Sequence, residues 1–224
     1  MQMRAAVLRA IAAPTPYADS QPIQIEEIDL APPGPGEVLV RIAGAGLCHS
    51  DLSLINGNRP RPVPLVLGHE GAGEVVECGA GVRDLAPGDP VVFQFSASCG
   101  RCARCQAGRP QLCDKHRVAR AAGELMGGGS RLRDTTGAVV AHHSGVSCFA
   151  EYAVVDRGSA VKVDGDIALD KAAIFGCAVM TGVGAVVNTA RLQAGDTVAV
   201  IGLGRFGSSL ALELVDAGTE GLGI

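Results

Sequence analysis

Cys99, Cys102, Cys105 and Cys113 stand in a C-x2-C-x2-C-x7-C array. Four thiolates spaced that closely suit the tetrahedral coordination of one zinc ion, and a tetrathiolate site leaves no coordination position open for a substrate. The array therefore reads as a structural staple for a loop over about 96–116. Chemistry has to be sought elsewhere in the chain. Gly202-Leu203-Gly204-Arg205-Phe206-Gly207 offers a binding function. It follows the apolar run Thr197-Val198-Ala199-Val200-Ile201 and opens an apolar-periodic helix over 208–217, the setting in which a G-x-G-x-x-G turn cradles a dinucleotide pyrophosphate. Gly202 would make the tight turn, Gly204 admit the phosphate to the backbone, and Gly207 let helix and strand approach, with the helix N-terminus facing the anion. The competing reading is the same turn with no ligand.

Cys48, His69 and Cys177 form a third candidate set. Cys48 lies in Gly46-Leu47-Cys48-His49-Ser50-Asp51, His69 in Leu67-Gly68-His69-Glu70-Gly71, and Cys177 in Phe175-Gly176-Cys177-Ala178. Spacing this wide leaves two readings open: a metal-binding trio, or two buried cysteines and a hydrogen-bonded histidine. Cys78 and Cys148 read as small buried hydrophobes with no metal role. His116, His142 and His143 read as loop or surface residues.

The elements that would position these groups are mostly strands. Short β-like runs appear at Ala5 to Leu8, Ile23 to Ile28, Val38 to Ile42, Gly73 to Val76, Val91 to Phe95 and Tyr152 to Val155, separated by breakers such as Pro32-Pro33-Gly34-Pro35-Gly36 and Ala86-Pro87-Gly88-Asp89. They predict a barrel-like or sandwich β domain over 1–163, with Arg117 to Ser147 as a long surface excursion hung on the thiol array. From 164 the pattern changes. Ala168 to Gly176 and Val179 to Ala190 can be helical, and Gln193 to Asp196 turns the chain into an apolar strand of the kind buried on both faces of a parallel sheet. Residues 164–224 thus predict only the first part of a nucleotide-binding α/β domain, one strand, one helix and the start of a second strand, where a mononucleotide half needs β-α-β-α-β.

With 47% apolar and 19% charged residues among 224, the chain can bury a core, and disorder is excluded. A net charge of −4 without a basic cluster argues against a nucleic-acid partner. No run of eighteen apolar residues and no signal-like leader is present, so neither a membrane nor secretion is expected, and the eight cysteines suit a reducing cytoplasm.

Taken in order, Cys-His-Ser-Asp, Gly-His-Glu, the four-thiol array, Phe149-Ala150-Glu151-Tyr152, Gly176-Cys177 with Thr181-Gly182, and the Gly-Leu-Gly turn resemble the zinc-dependent medium-chain alcohol dehydrogenases, the class III and aryl-alcohol branches most of all. The resemblance implies a GroES-like, partly open β-barrel catalytic domain followed by an incomplete Rossmann domain. It further implies a catalytic zinc on Cys48, His69 and Cys177, a structural zinc on the four-thiol array, and NAD or NADP as hydride carrier. The acid that chooses between the two carriers lies about 20 residues past the glycine turn, beyond Ile224. By the same resemblance Ser50 starts a proton relay, Asp51 orients the His69 ring, Glu70 sits behind the metal, His49 meets the pyrophosphate, and Thr181 and Phe206 lie near the nicotinamide. One departure is Ser53, where some members place a relay histidine. The implied activity is hydride transfer between a small primary alcohol or aldehyde and the nucleotide, by a protein that is a homo-oligomer at full length. This chain is expected to be a truncated form. The reading from another class is a catalytically inert, zinc-stapled β module that binds a partner.

Overall fold

The computed structural model describes residues 1–193, 195–204, 207–211 and 220–223. The chain divides into two compact units, Met1–Ala173 and Ile174–Ile224.

The first unit is built from ten strands: β1 (Gln2–Leu8), β2 (Ile23–Leu30), β3 (Glu37–Gly46), β4 (Leu65–Val66), β5 (Glu70–Cys78), β6 (Pro90–Phe93), β7 (Leu132–Asp134), β8 (Val139–His142), β9 (Tyr152–Asp156) and β10 (Ala160–Lys162). Hydrogen bonding closes β1-β2-β7-β8-β4 into a barrel and joins β10-β6-β5-β3-β9 into a second sheet. All six strands legible in the sequence are present. Alternation along β3 explains how one strand serves two cores. Leu39 packs with Val7, Ile28, Leu132 and Val140 in the barrel core, while Val38 and Val40 pack with Val75, Val91, Phe93 and Val155 on the opposite face. The bulges between Leu39/Val40 and Ile42/Gly44 bend β3 where it pairs with β5, just before it delivers the chain to Cys48. The short helix Leu169–Ala172 also belongs to this unit, its Ala172 and the following Ala173 packing on Ala72 and Val92.

One expectation is overturned. Arg117 to Ser147 is no surface excursion: it contains part of the helix Asp114–Ala122 and the strands β7 and β8, both of which are barrel staves. His116, His142 and His143 are consequently buried. The reason is spacing. His116 and Ala119 share the inward face of a helix at i, i+3, and His142 ends a strand that pairs with β4 and β7.

The second unit opens with the helix Ala178–Gly184, which continues as a wider π-helical turn over Ala185–Ala190. The strand β11 (Thr197–Val200) follows and pairs in parallel with β12 (Glu220–Gly223). Residues 207–211 are helical, and the rest of the helix expected over 208–217 lies outside the described residues. Val186 and Val200 form a small core with Leu192, Val198 and Leu210. No single helix among the described residues is long and apolar enough to cross a membrane.

Candidate metal centre and nucleotide turn

Cys48 caps the helix His49–Ile55 at the point where β3 ends, with an extended backbone that turns its side chain out of the helix. The carboxylate of Asp51 fixes this start, its Oδ2 accepting from the Cys48 N–H at 3.1 Å while the Asp51 N–H donates to the Cys48 carbonyl at 3.0 Å. His69 reaches the same place from the other side. Between β4 and β5 the chain turns through Gly68 at φ +92°, and a Cβ there would stand 2.6 Å from the Phe149 backbone nitrogen. Only glycine meets both conditions. The turn is pinned by the Phe149 and Cys148 N–H groups, which donate to the Leu67 and Gly68 carbonyls at 3.0 and 3.2 Å.

The result is a cluster in which Cys48, His69 and Glu70 bring donor atoms within 4.8 Å of one another. Ser50 Oγ lies 3.3 Å from Cys48 Sγ and 3.2 Å from His69 Nε2. On the far side of the imidazole, His69 Nδ1 is 3.2 Å from Asp51 Oδ1, and His143 Nδ1 is the same distance from that oxygen. Asp51 is 4% exposed and His69 3%. The rings of Phe95 and His143 meet His69 edge-on, at 5.7 and 5.0 Å between centroids.

Electrostatics tests whether a cation fits. Burial alone would lower the His69 pKa, but Asp51 and Cys48 outweigh it and push the ring up to about 9. Burial likewise opposes a charge on Asp51, yet His143 and His69 hold its carboxyl well below the usual range. The sulfur and carboxylate that favour a proton on this imidazole would favour a metal cation in its place, so the donor set and its field suit zinc.

The four-thiol array folds into a second such site. The sulfurs of Cys99, Cys102, Cys105 and Cys113 all lie within 4.8 Å of one another, and no disulfide joins any of the eight cysteines. Cys102 Sγ is 3.5 Å from Cys105 Sγ, and the Cys99 N–H donates to Cys113 Sγ at 3.4 Å. Backbone N–H groups of Cys105 and Asp114 pull the Cys102 thiol down to about 6, while burial, followed by the neighbouring Cys102 sulfur, pushes Cys105 up to about 11. Thiols forced to share charge in this way are relieved by a divalent cation.

In the second unit, Cys177 precedes the helix Ala178–Gly184, its carbonyl accepting from the Thr181 N–H at 2.9 Å. Thr181 is exposed. At the glycine turn, Gly202 has φ +91°, and a Cβ on Gly207 would stand 1.9 Å from the Gly202 carbonyl oxygen. That closeness is what holds the helix start against the end of β11. Nothing lies within 4 Å of a Cβ built on Gly204, which leaves its backbone open to a ligand. Phe206 lies outside the described residues. His49 is exposed, and its carbonyl accepts from Ser53 Oγ at 3.1 Å. The residue missed in the sequence is His143. Its adjacency to His142 looked like a surface pair, and only the closure of β8 into the barrel brings it to Asp51.

Residues 34–165 match a family model described as the alcohol dehydrogenase GroES-like domain. Among curated proteins, the S-(hydroxymethyl)glutathione dehydrogenase of Escherichia coli O1:K1 / APEC is 44% identical over 192 residues, which is 85% of this chain and 52% of that protein. The enzyme of the same description from Shigella sonnei (strain Ss046) matches equally. The chain thus spans about half the length of the curated relatives it matches. Among solved structures, an alcohol dehydrogenase zinc-binding domain protein from Burkholderia ambifaria superposes with a TM-score of 0.90 at 36% identity, covering 100% of this chain and 58% of that one. Benzyl alcohol dehydrogenase from Acinetobacter calcoaceticus follows with a TM-score of 0.87 at 28% identity and the same coverage.

Proposed function

The chain belongs to the family of alcohol dehydrogenases with a GroES-like domain, and from that premise we propose that it is the catalytic part of a zinc-dependent oxidoreductase moving hydride between a primary alcohol or aldehyde and NAD or NADP. The observation that carries the reading is the convergence of Cys48, His69 and Glu70 donor atoms on one point, with Asp51 behind the imidazole. Residues 1–163 are assigned to the catalytic domain and 164–224 to part of the nucleotide-binding domain.

Cys48, His69 and Cys177 would hold the catalytic zinc, with Glu70 adjacent, and Cys99, Cys102, Cys105 and Cys113 the structural one. Bound at the first site, zinc supplies Lewis acidity toward a hydroxyl or carbonyl oxygen, and the nicotinamide accepts or returns the hydride. The protein's own part is preparation. Asp51 accepts from the His69 Nδ1–H and so leaves Nε2 with its lone pair directed at the site. Ser50, with its hydroxyl between Cys48 Sγ and His69 Nε2, is placed to take the substrate's hydroxyl proton and pass it outward. Gly202, Gly204 and Gly207 would seat the pyrophosphate, with His49 opposite, and Thr181 and Phe206 would flank the nicotinamide. On the family resemblance alone, the protein is assigned to the cytoplasm and its full-length form to a homo-oligomer.

Metal analysis by plasma mass spectrometry tests the design. Two zinc ions per chain are expected, falling to one in Cys177→Ser and to one in Cys102→Ser. A single zinc, lost in Cys102→Ser and untouched in Cys177→Ser, would instead make the chain an inert stapled module. Fluorescence titration with NADH and a turnover assay with benzyl alcohol then test the hydride reaction itself.

A further inference from the structure

We propose that His116 is a positioning residue that couples the two candidate metal sites: it ties the start of the helix Asp114–Ala122 to Phe95, whose ring abuts the His69 imidazole, so that filling the four-thiol array tightens metal binding at the Cys48 site. The proposal rests on the two-zinc reading above and adds to it a line of communication between the sites.

Two short segments carry that line, and they are joined twice. The first runs from Phe95, just past the end of β6, to Cys99, and the second from Cys113, which caps the helix, to His116 in its first turn. At one end the Cys99 N–H donates to Cys113 Sγ at 3.4 Å. At the other, His116 Nε2 lies 3.0 Å from the Phe95 carbonyl oxygen. A carbonyl only accepts, so the imidazole must carry a proton on Nε2. His116 is 5% exposed, and burial holds its pKa below the ordinary histidine value, which keeps the ring neutral with its one N–H directed at Phe95.

Cys99 stands four residues after Phe95, and His116 three after Cys113. A zinc ion that draws the sulfurs of Cys99 and Cys113 together therefore closes one end of a small ring of chain, and the His116 bond closes the other. Without the cation, sulfurs that share negative charge repel, and the helix start is free to part from the segment that carries Phe95.

Phe95 passes the constraint on. Its ring meets that of His69 at 89°, with 5.7 Å between centroids. The Arg120 guanidinium, one turn beyond His116 on the same face of the helix, stands 6.0 Å from the centre of the same phenyl ring. The helix thus holds Phe95 by its carbonyl and by its ring. His69 is buried between Phe95, His143 and Asp51, so the aim of its imidazole depends on where Phe95 sits. An imidazole already held in its coordinating direction loses less freedom when a metal binds, and that saving is the coupling between the sites.

Zinc affinity at the Cys48 site, read on the full chain by competition with a chromophoric chelator, tests this in a cycle of native protein, Cys105→Ser, His116→Leu and the double variant. Cys105→Ser, which empties the array, is expected to weaken the Cys48 site on the order of 10-fold while leaving it filled at stoichiometric zinc. His116→Leu should weaken it by a similar factor with the thiolate zinc retained, and the double variant should be no weaker than either single one. His116→Gln, whose amide can donate to the Phe95 carbonyl, should stay near native. Proton NMR of the zinc-loaded proteins gives a second readout. The His69 ring resonances, displaced by the Phe95 ring current, should shift alike in Cys105→Ser and His116→Leu and stay in place in His116→Gln.

Unchanged affinity in Cys105→Ser overturns the proposal whatever the histidine variants do. So do losses that add in the double variant, which is the pattern of two independent structural defects. Native-like binding by His116→Leu, a His116→Gln protein as weak as His116→Leu, or His69 resonances that stay put throughout count against it equally. A chain that takes up one zinc overturns the proposal together with the reading beneath it, whereas two zincs held independently overturn the proposal alone.

Discussion

Arg131 grips Glu37 with both arms of its guanidinium, Nε to Oε2 at 2.7 Å and Nη2 to Oε1 at 2.8 Å, and Glu37 is 1% exposed. The pair joins β3 of the open sheet to the segment that enters barrel strand β7. Glu37 Oε2 also accepts from the Gly34 N–H at 2.8 Å, so the carboxylate holds the turn before β3 as well.

Removing one partner of so buried a pair leaves the other charge stranded. Arg131→Met is expected to cost about 3–5 kcal/mol in urea unfolding, whereas the double replacement Glu37→Leu with Arg131→Met should recover much of that loss. A double variant no more stable than Arg131→Met alone would show that the fork matters for its geometry and not for its charge.

Acid should weaken the fold through His142. Burial lowers its pKa to about 3, with Arg131 adding a smaller repulsion, and its Nε2 accepts from the Arg131 N–H at 3.3 Å, which requires the neutral ring. The folded value lies below the unfolded value of about 6.5, so the unfolded chain binds the extra proton between the two. Stability from this group is complete above about pH 6.5 and falls by about 1.4 kcal/mol per unit as the pH drops toward 3. Denaturation curves at successive pH values should show this slope in the native protein and a shallower one in His142→Gln.

Asp51→Asn keeps the shape of the side chain and removes the charge behind His69. Zinc affinity at the Cys48 site is expected to fall about 10–100-fold in competition with a chromophoric chelator, with the thiolate zinc retained. Unchanged affinity would mean that the Cys48 N–H contact, and not the imidazole, is what Asp51 serves.

Cys105→Ser should release the structural zinc and loosen the loop over 96–116 without emptying the other site. Trypsin is the readout, since Arg101 and Arg104 are exposed in that loop. Cleavage there at an accelerated rate is expected in the variant and in chelator-treated protein alike, and equal rates in variant and native protein would argue against a stapling role.

Much of this was legible in the residues, for identifiable reasons. Val38, Val40 and Ile42 alternate over a strand long enough to show its period, and the same holds for the other early strands. By contrast β7 and β8 span three and four residues, too few for any period to register. Missing them made the Arg117 to Ser147 stretch look like a loop and its histidines look exposed. Cys48, Asp51, His69 and Glu70 were nameable because each sits in a short motif, and they do lie together. His143 was not, since it belongs to no such motif and reaches Asp51 only through the closure of the barrel.

The left-handed turn at Gly68 carries a practical consequence for anyone wishing to redesign the pocket. Because a methyl group there would run into the Phe149 main chain, a randomised library across this turn would return glycine and little else at position 68.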